Sequence, residues 1–221
     1  MMCSLAACGT AHHARTLGKG NYGVDLELGG PLTQLGGVYV PLPYALVGGT
    51  YGVTDDLDVH ARLHLTTAIY EFPGVDVGAT YQWWHERRWR PAFSSTLQLY
   101  GFSDFQAGGS RGFADLTENL SYLVHRRWLT YFGATEFTEL VQAPVIFAPF
   151  VGEELRLGDH YGVELELKYA QPQLMEYVAP SYARIANQGA IFVELGFNTY
   201  FGHGKGWAAP PSAQPATEMI P

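Results

Sequence analysis

Residues 57–65 read LDVHARLHL, with Leu57, Val59, Ala61, Leu63 and Leu65 alternating against Asp58, His60, Arg62 and His64. A period of two is that of a β-strand, whose successive side chains point to opposite faces. The alternative is a helix, on which His60 and His64 share a face and chelate a metal. The strict alternation decides for the strand. At about 3.3 Å per residue, the two histidine Cα atoms then lie roughly 13 Å apart, too far for joint coordination. No metal site or cofactor is expected from this pair.

The pattern recurs along the chain. Tyr22, Val24, Leu26 and Leu28 oppose Asp25 and Glu27; Val75, Val77, Ala79, Tyr81 and Trp83 oppose Asp76, Thr80 and Gln82. Phe93, Leu97 and Leu99 oppose Ser94, Thr96 and Gln98, and Leu116, Leu120 and Tyr122 oppose Thr117, Asn119 and Ser121. Leu129, Tyr131 and Phe137 are taken as one face, Thr130 and Glu136 as the other. Val163, Leu165 and Leu167 oppose Glu164, Glu166 and Lys168, and Val193, Leu195 and Phe197 oppose Glu194 and Asn198. Segments 43–53 and 145–157 complete the set, with Glu153 falling on the apolar side, so a β-bulge is expected there. Between these segments short links (TDD, HERRWR, Arg126-Arg127, GDH) alternate with longer ones at 29–42, 67–73, 103–113, 138–144 and 171–188. Tight turns at one end and longer loops at the other describe an up-and-down meander. If the first hairpin closes about Asp55, Gly48 faces Arg62 and Gly52 faces Asp58.

Which face points inward separates two architectures. A soluble lipocalin-like barrel turns its apolar face in; a membrane barrel turns it to lipid and lines its lumen with the polar face. Charged residues are only 15% of the chain, below the usual quarter or so. The apolar faces are almost free of charge, which a water-facing surface would not be. Trp83, Trp84, Trp89 and Trp128 lie beside the tight turns, with Tyr44, Tyr70 and Tyr100 toward the loops, as interface aromatics do. The fold class is therefore all-β: a closed up-and-down antiparallel transmembrane β-barrel of about ten strands, within a range of about eight to twelve. No window offers a transmembrane helix. The net charge of −8 argues against a nucleic-acid partner.

This pattern and topology resemble the small bacterial outer-membrane β-barrels of the OmpA/OmpX/OmpW-like group over roughly 20–202. The resemblance implies outer-membrane lipids and the barrel assembly machinery as partners, and the aromatic Phe201 ending the last strand is similar to the signal that machinery reads. LAAC at residues 5–8 resembles a lipobox, which implies a Gram-negative lipoprotein signal and lipidation at Cys8, although the basic and most of the apolar parts of such a signal are missing. Three regions follow: 1–19, a truncated lipoprotein signal and linker; 20–202, the barrel; and 203–221, a Pro/Ala-rich periplasmic tail expected to be disordered.

Lumen-lining positions are then Asp25, Glu27, Asp58, His60, Arg62, His64, Asp76, Glu136, Glu154, Arg156, Glu164, Glu166, Lys168 and Glu194. Such an acidic, polar interior suits either a rigid plug or a narrow cation-preferring, porin-like channel. His64 facing Asp76 is the one pair with catalytic character. An outer-membrane enzyme, protease or lipid-modifying, is thus the alternative function, together with a soluble lipocalin-like ligand-binding barrel. No second acidic pair of the kind found in omptin proteases accompanies His64 and Asp76, and no nucleotide or hydrolase motif occurs, so no residue is expected to be catalytic. Arg87, Arg88, Arg90, Arg126 and Arg127 in the tight turns are suited to anionic lipid headgroups.

Overall fold

The alternating segments close on themselves. The computed structural model describes residues 13–35, 38–41, 43–105, 108–141, 145–170 and 190–202. Eleven strands run in chain order: β1 (Tyr22–Leu35), β2 (Val38–Pro41), β3 (Tyr44–Gly52), β4 (Leu57–His64), β5 (Gly74–Trp84), β6 (Ala92–Asp104), β7 (Gly109–His125), β8 (Trp128–Glu139), β9 (Val145–Arg156), β10 (Tyr161–Ala170) and β11 (Ala190–Phe201). Every neighbouring pair is antiparallel, and β1 also pairs with β11 from Tyr22↔Phe201 to Pro31↔Phe192. That seam makes a ring of ten strands, β2 lying outside it, and leaves the ring without an unpaired edge. Among the described residues one short helix, α1 (Leu65–Ile69), follows β4.

The first hairpin has the expected register, Gly48↔Arg62 and Gly52↔Asp58. Two of the expected long links are instead strand. Segment 29–42 continues β1 and turns back as β2, which pairs with Leu32–Leu35 beyond the ring. Segment 103–113 is the end of a long β6–β7 hairpin paired as far as Asp104↔Gly109. Backbone groups there pair with each other rather than with water, a saving that the loop-like composition does not reveal.

Alternation of burial gives the barrel two unlike faces. Val24, Leu26, Val59, Leu63, Val75, Val77, Leu97, Leu99, Val151, Leu165, Leu167 and Phe197 are exposed on the outside, while their sequence neighbours are buried inside. Single exposed apolar residues are ordinary on a soluble protein, but a continuous apolar girdle is not. Trp83, Trp84, Trp89 and Trp128 are exposed at the tight-turn end.

Three expectations are corrected. Glu136 is exposed, not lumenal. Cross-strand partners share a face, and Thr135 pairs with the inward Thr117 while Glu136 pairs with the outward Leu116. Both faces of β8 carry apolar residues, so hydrophobicity alone gave the wrong phase; Leu129, Tyr131 and Phe137 are the buried set. Glu153 lies on an unbroken ladder with Leu165 and Thr130, without a bulge. The register shifts fall instead at Gln82/Trp84 and Leu123/His125, beside tight turns. Tyr44 and Tyr100 are buried inside rather than placed at the interface, whereas Tyr70 is exposed.

Candidate functional site: the barrel interior

Because the inward positions come from ten strands, the interior is built in layers along the barrel axis. At the loop end the layer is apolar. Tyr44, Leu46, Tyr100, Phe102, Phe113, Phe137, Ile146, Ala148, Ala170 and Phe192 form one buried cluster, with Phe72 packed against it. Phe102 and Phe113 meet edge-on at 5.9 Å, and Phe113 stacks on Phe137 at 5.3 Å. Gly74 makes room for this layer: a Cβ there would collide with the Phe102 ring.

The middle layer is ionic. Arg62 Nη1 donates to Glu27 Oε1 at 2.7 Å, and its Nε lies 3.9 Å from Asp25 and 4.0 Å from Asp76. Carboxylates from two strands, β1 and β5, thus converge on the guanidinium carried by β4, whose planar fork can serve several carboxylates at once. Asp76 lies opposite Arg62 in the ladder, two residues from the expected partner His64. Its side chain still reaches His64 Nε2 at 3.0 Å, and His64 Nδ1 meets the Tyr44 hydroxyl. On the far wall Lys168 Nζ lies 3.1 Å from Glu166 and 3.7 Å from Glu194. Tyrosine hydroxyls donate to the remaining carboxylates: Tyr100 to Asp115, Tyr131 to Glu164, and Tyr200 to Glu154 at 2.6 Å. Arg156 lies 3.9 Å from Glu154 and stacks over the Tyr200 ring at 4.6 Å. Gly152 makes room for Tyr131, whose ring occupies the place of the missing Cβ.

Toward the tight-turn mouth, neutral hydroxyl pairs on β5–β8 join the buried charges Asp58 and Arg156. Thr80 bonds Thr96 and Thr117 bonds Thr135, both at 2.9 Å. Residues 13–21 enter this mouth and fold across it. Leu17 N–H donates to Asp58 at 2.6 Å, Thr16 Oγ1 donates to the Asp55 carbonyl at 2.9 Å, and Ser94 Oγ donates to the Ala14 carbonyl at 3.1 Å. Arg15 reaches furthest, donating to Ser121 Oγ at 2.9 Å and pairing with Glu86. His13 lies 3.7 Å from Asp25. Replacing Arg15 with alanine is expected to release this segment, at a cost of about 1–3 kcal/mol for the unpaired groups left behind. Limited proteolysis would show it as new cleavage within 13–21; an unchanged digest would mean that Arg15 does not hold the segment.

The structure thus buries Asp25, Glu27, Asp58, His60, Arg62, His64, Asp76, Glu154, Arg156, Glu164, Glu166, Lys168 and Glu194 inside. It brings Arg62, Asp25, Glu27, Asp76 and His64 into one network and keeps Lys168, Glu166 and Glu194 as another. Asp115 and the aromatic layer were missed, although both follow from continuing the parity of Thr117 and Gln98 along their strands. The segment 13–17, read as linker, carries no periodic signal. Cys8 and the tail 203–221 lie outside the described residues.

His64 and Asp76 have the geometry of a base and its orienting carboxylate, but His64 is 1% exposed. Tyr44, Tyr100 and Phe102 pack around its ring at 5.7, 6.0 and 4.8 Å. Among the described residues His64 is enclosed, and it ties the Tyr44 hydroxyl to the Asp76 carboxylate.

No protein family model matches the chain, and no curated protein matches it. Among solved structures it is similar in shape to the translocator domain of the autotransporter NalP from Neisseria meningitidis, at 9% identity and a TM-score of 0.44, covering 90% of this chain and 93% of that one. It is similar to the NanC porin at 7% identity and a TM-score of 0.44, covering 81% and 100%. The N-terminal β-barrel domain of Pseudomonas aeruginosa OprF matches at 10% identity and a TM-score of 0.33, covering 83% and 99%.

Proposed function

We propose that the chain is a bacterial outer-membrane β-barrel with a closed bore and a structural role. One observation carries this. The inward side chains at mid-barrel, among them Gln98, Thr117, Glu166, Lys168 and Arg62, have between 0% and 3% of their surface open to solvent. A water-filled channel would leave its lining wet. The aromatic layer and residues 13–21 stand across the two ends of this packed interior. The apolar girdle supplies the membrane-facing surface, and a ring without free edges satisfies every ladder inside hydrocarbon. A lipocalin-like barrel would need Leu165 and Leu167 inside and Glu164 and Glu166 in water, and the burial is the reverse. With ten strands, side chains are enough to fill the interior.

The tight-turn end is the periplasmic end in this proposal. A lipid on Cys8 would then tether the segment that enters the same mouth, and the barrel assembly machinery would insert the chain. Cys8→Ser should abolish incorporation of labelled palmitate if the anchor exists.

Planar-bilayer recording is the direct test. The purified full chain is expected to give no resolved conductance steps. Regular cation-selective steps would replace the closed barrel by the narrow channel that the interior carboxylates otherwise favour.

A further inference from the structure

The tight-turn rim carries charge that the closed interior does not use. We propose that residues 85–91 and 126–127 form a binding surface for anionic phospholipid headgroups of the leaflet at that end. The proposal rests on the membrane-spanning reading above. Arg87, Arg88, Arg90, Arg126 and Arg127 are all exposed. Among the described residues none of them makes an ion pair. The acid of the same turn, Glu86, is turned to the mouth, where Arg15 and the Leu123 N–H take its carboxylate.

The backbone holds these arginines in place while their side chains stay available. Arg87 and Arg90 exchange both N–H···O bonds, at 3.0 and 2.9 Å, so residues 87–90 form a small hairpin with Arg88 and Trp89 at its tip. Tyr122 donates its hydroxyl to the Arg88 carbonyl at 2.7 Å, which ties that hairpin to the end of β7, next to the second turn. The Arg127 carbonyl accepts from Arg156 N–H at 2.8 Å. The two basic turns are therefore neighbours. The other two tight turns carry Asp55, Asp56 and Asp159, so among the described residues the exposed arginines of this rim lie together on one side of it.

The aromatics say at what depth the occupant lies. Trp89 is 92% exposed at the hairpin tip, and Trp84, with Arg90 over its ring at 5.4 Å, stands one step nearer the girdle. Indole favours the headgroup level of a bilayer. Arginine forks beside it match phosphate oxygens bidentately. An acidic protein would satisfy the charge but not the tryptophans at the edge of an apolar belt; an anionic lipid satisfies both.

The test uses the full chain reconstituted in phosphatidylcholine vesicles with a trace of spin-labelled phosphatidylglycerol or phosphatidylcholine. The motionally restricted fraction of each label is then measured. A preference for phosphatidylglycerol of about fivefold or more is expected, since one basic residue near an anionic surface contributes about 1 kcal/mol. It should fall toward unity at about 1 M salt, where the screening length is about 3 Å. The variant R87Q/R88Q/R90Q/R126Q/R127Q should lose the preference. R111Q, at the opposite end, should keep it. A preference near one in the unmodified chain, or one untouched by salt, overturns the proposal without any variant having to fold. So does capture of a polyglutamate peptide with no lipid preference, which would make the partner a protein. Release of the chain from membranes by buffer alone would instead defeat the membrane-spanning reading itself.

Discussion

Replacing Arg62 with alanine is expected to destabilise the barrel by about 3–5 kcal/mol, the cost of leaving buried charges without their partner. Arg62 is 3% exposed and lies between Glu27, Asp25 and Asp76, contributed by β1 and β5. Without it Glu27 loses its ion pair, and Asp25 and Asp76 keep only the imidazoles of His13 and His64 beside them. Lysine should rescue only in part, because a single ammonium cannot reproduce a fork that reaches three acids. The double change Arg62→Ala with Glu27→Gln should recover part of the loss by removing the most closely paired charge. The fraction of heat-shifted, folded band across a urea series measures all three. A single variant as stable as the parent would mean that water, not Arg62, neutralises these acids.

The second large effect tests which side faces lipid. Val77 is 52% exposed, in the girdle between Ala61 and Leu99. Val77→Arg is expected to cost about 2–4 kcal/mol if that position lies near the bilayer midplane. The folded band should then be lost from membranes and the protein recovered in aggregates. In buffer the same substitution on a soluble surface would be nearly neutral. Glu136→Leu should move the other way, since it removes a carboxylate from the same outer face. If Val77→Arg assembles normally and Glu136→Leu gains nothing, the outer face does not meet hydrocarbon.

Fold was legible where the two faces differ in kind. β4 and β10 set Leu and Val against Asp, Glu, His, Arg and Lys, and their phase could be read without structure. On β8, Leu129 and Tyr131 compete with Phe132, and only pairing with β7 decides between them. The same ambiguity hid the aromatic layer. Tyr100 and Phe102 continue the inward parity of Gln98, yet as aromatics near a strand end they resemble interface residues. The polar pairs were partly visible: His64 was placed with Asp76, but the sequence cannot show that Arg62 shares the same carboxylate from across the ladder. Residues 13–17 were illegible because a segment that fills a mouth obeys no period. Its bonds to Asp55 and Ser121 span 39 and 106 positions.

The seam between β1 and β11 has a further consequence for how the molecule comes into being. Each intermediate with fewer than ten paired strands presents two ragged borders of open amide and carbonyl groups, and only the last strand removes both. Closure joins Tyr22 to Phe201, so nearly the full length of the polypeptide must be threaded out before the cylinder can shut. Synthesis and maturation are thereby separated in time, and during the interval the ribbon must be shielded by something other than itself.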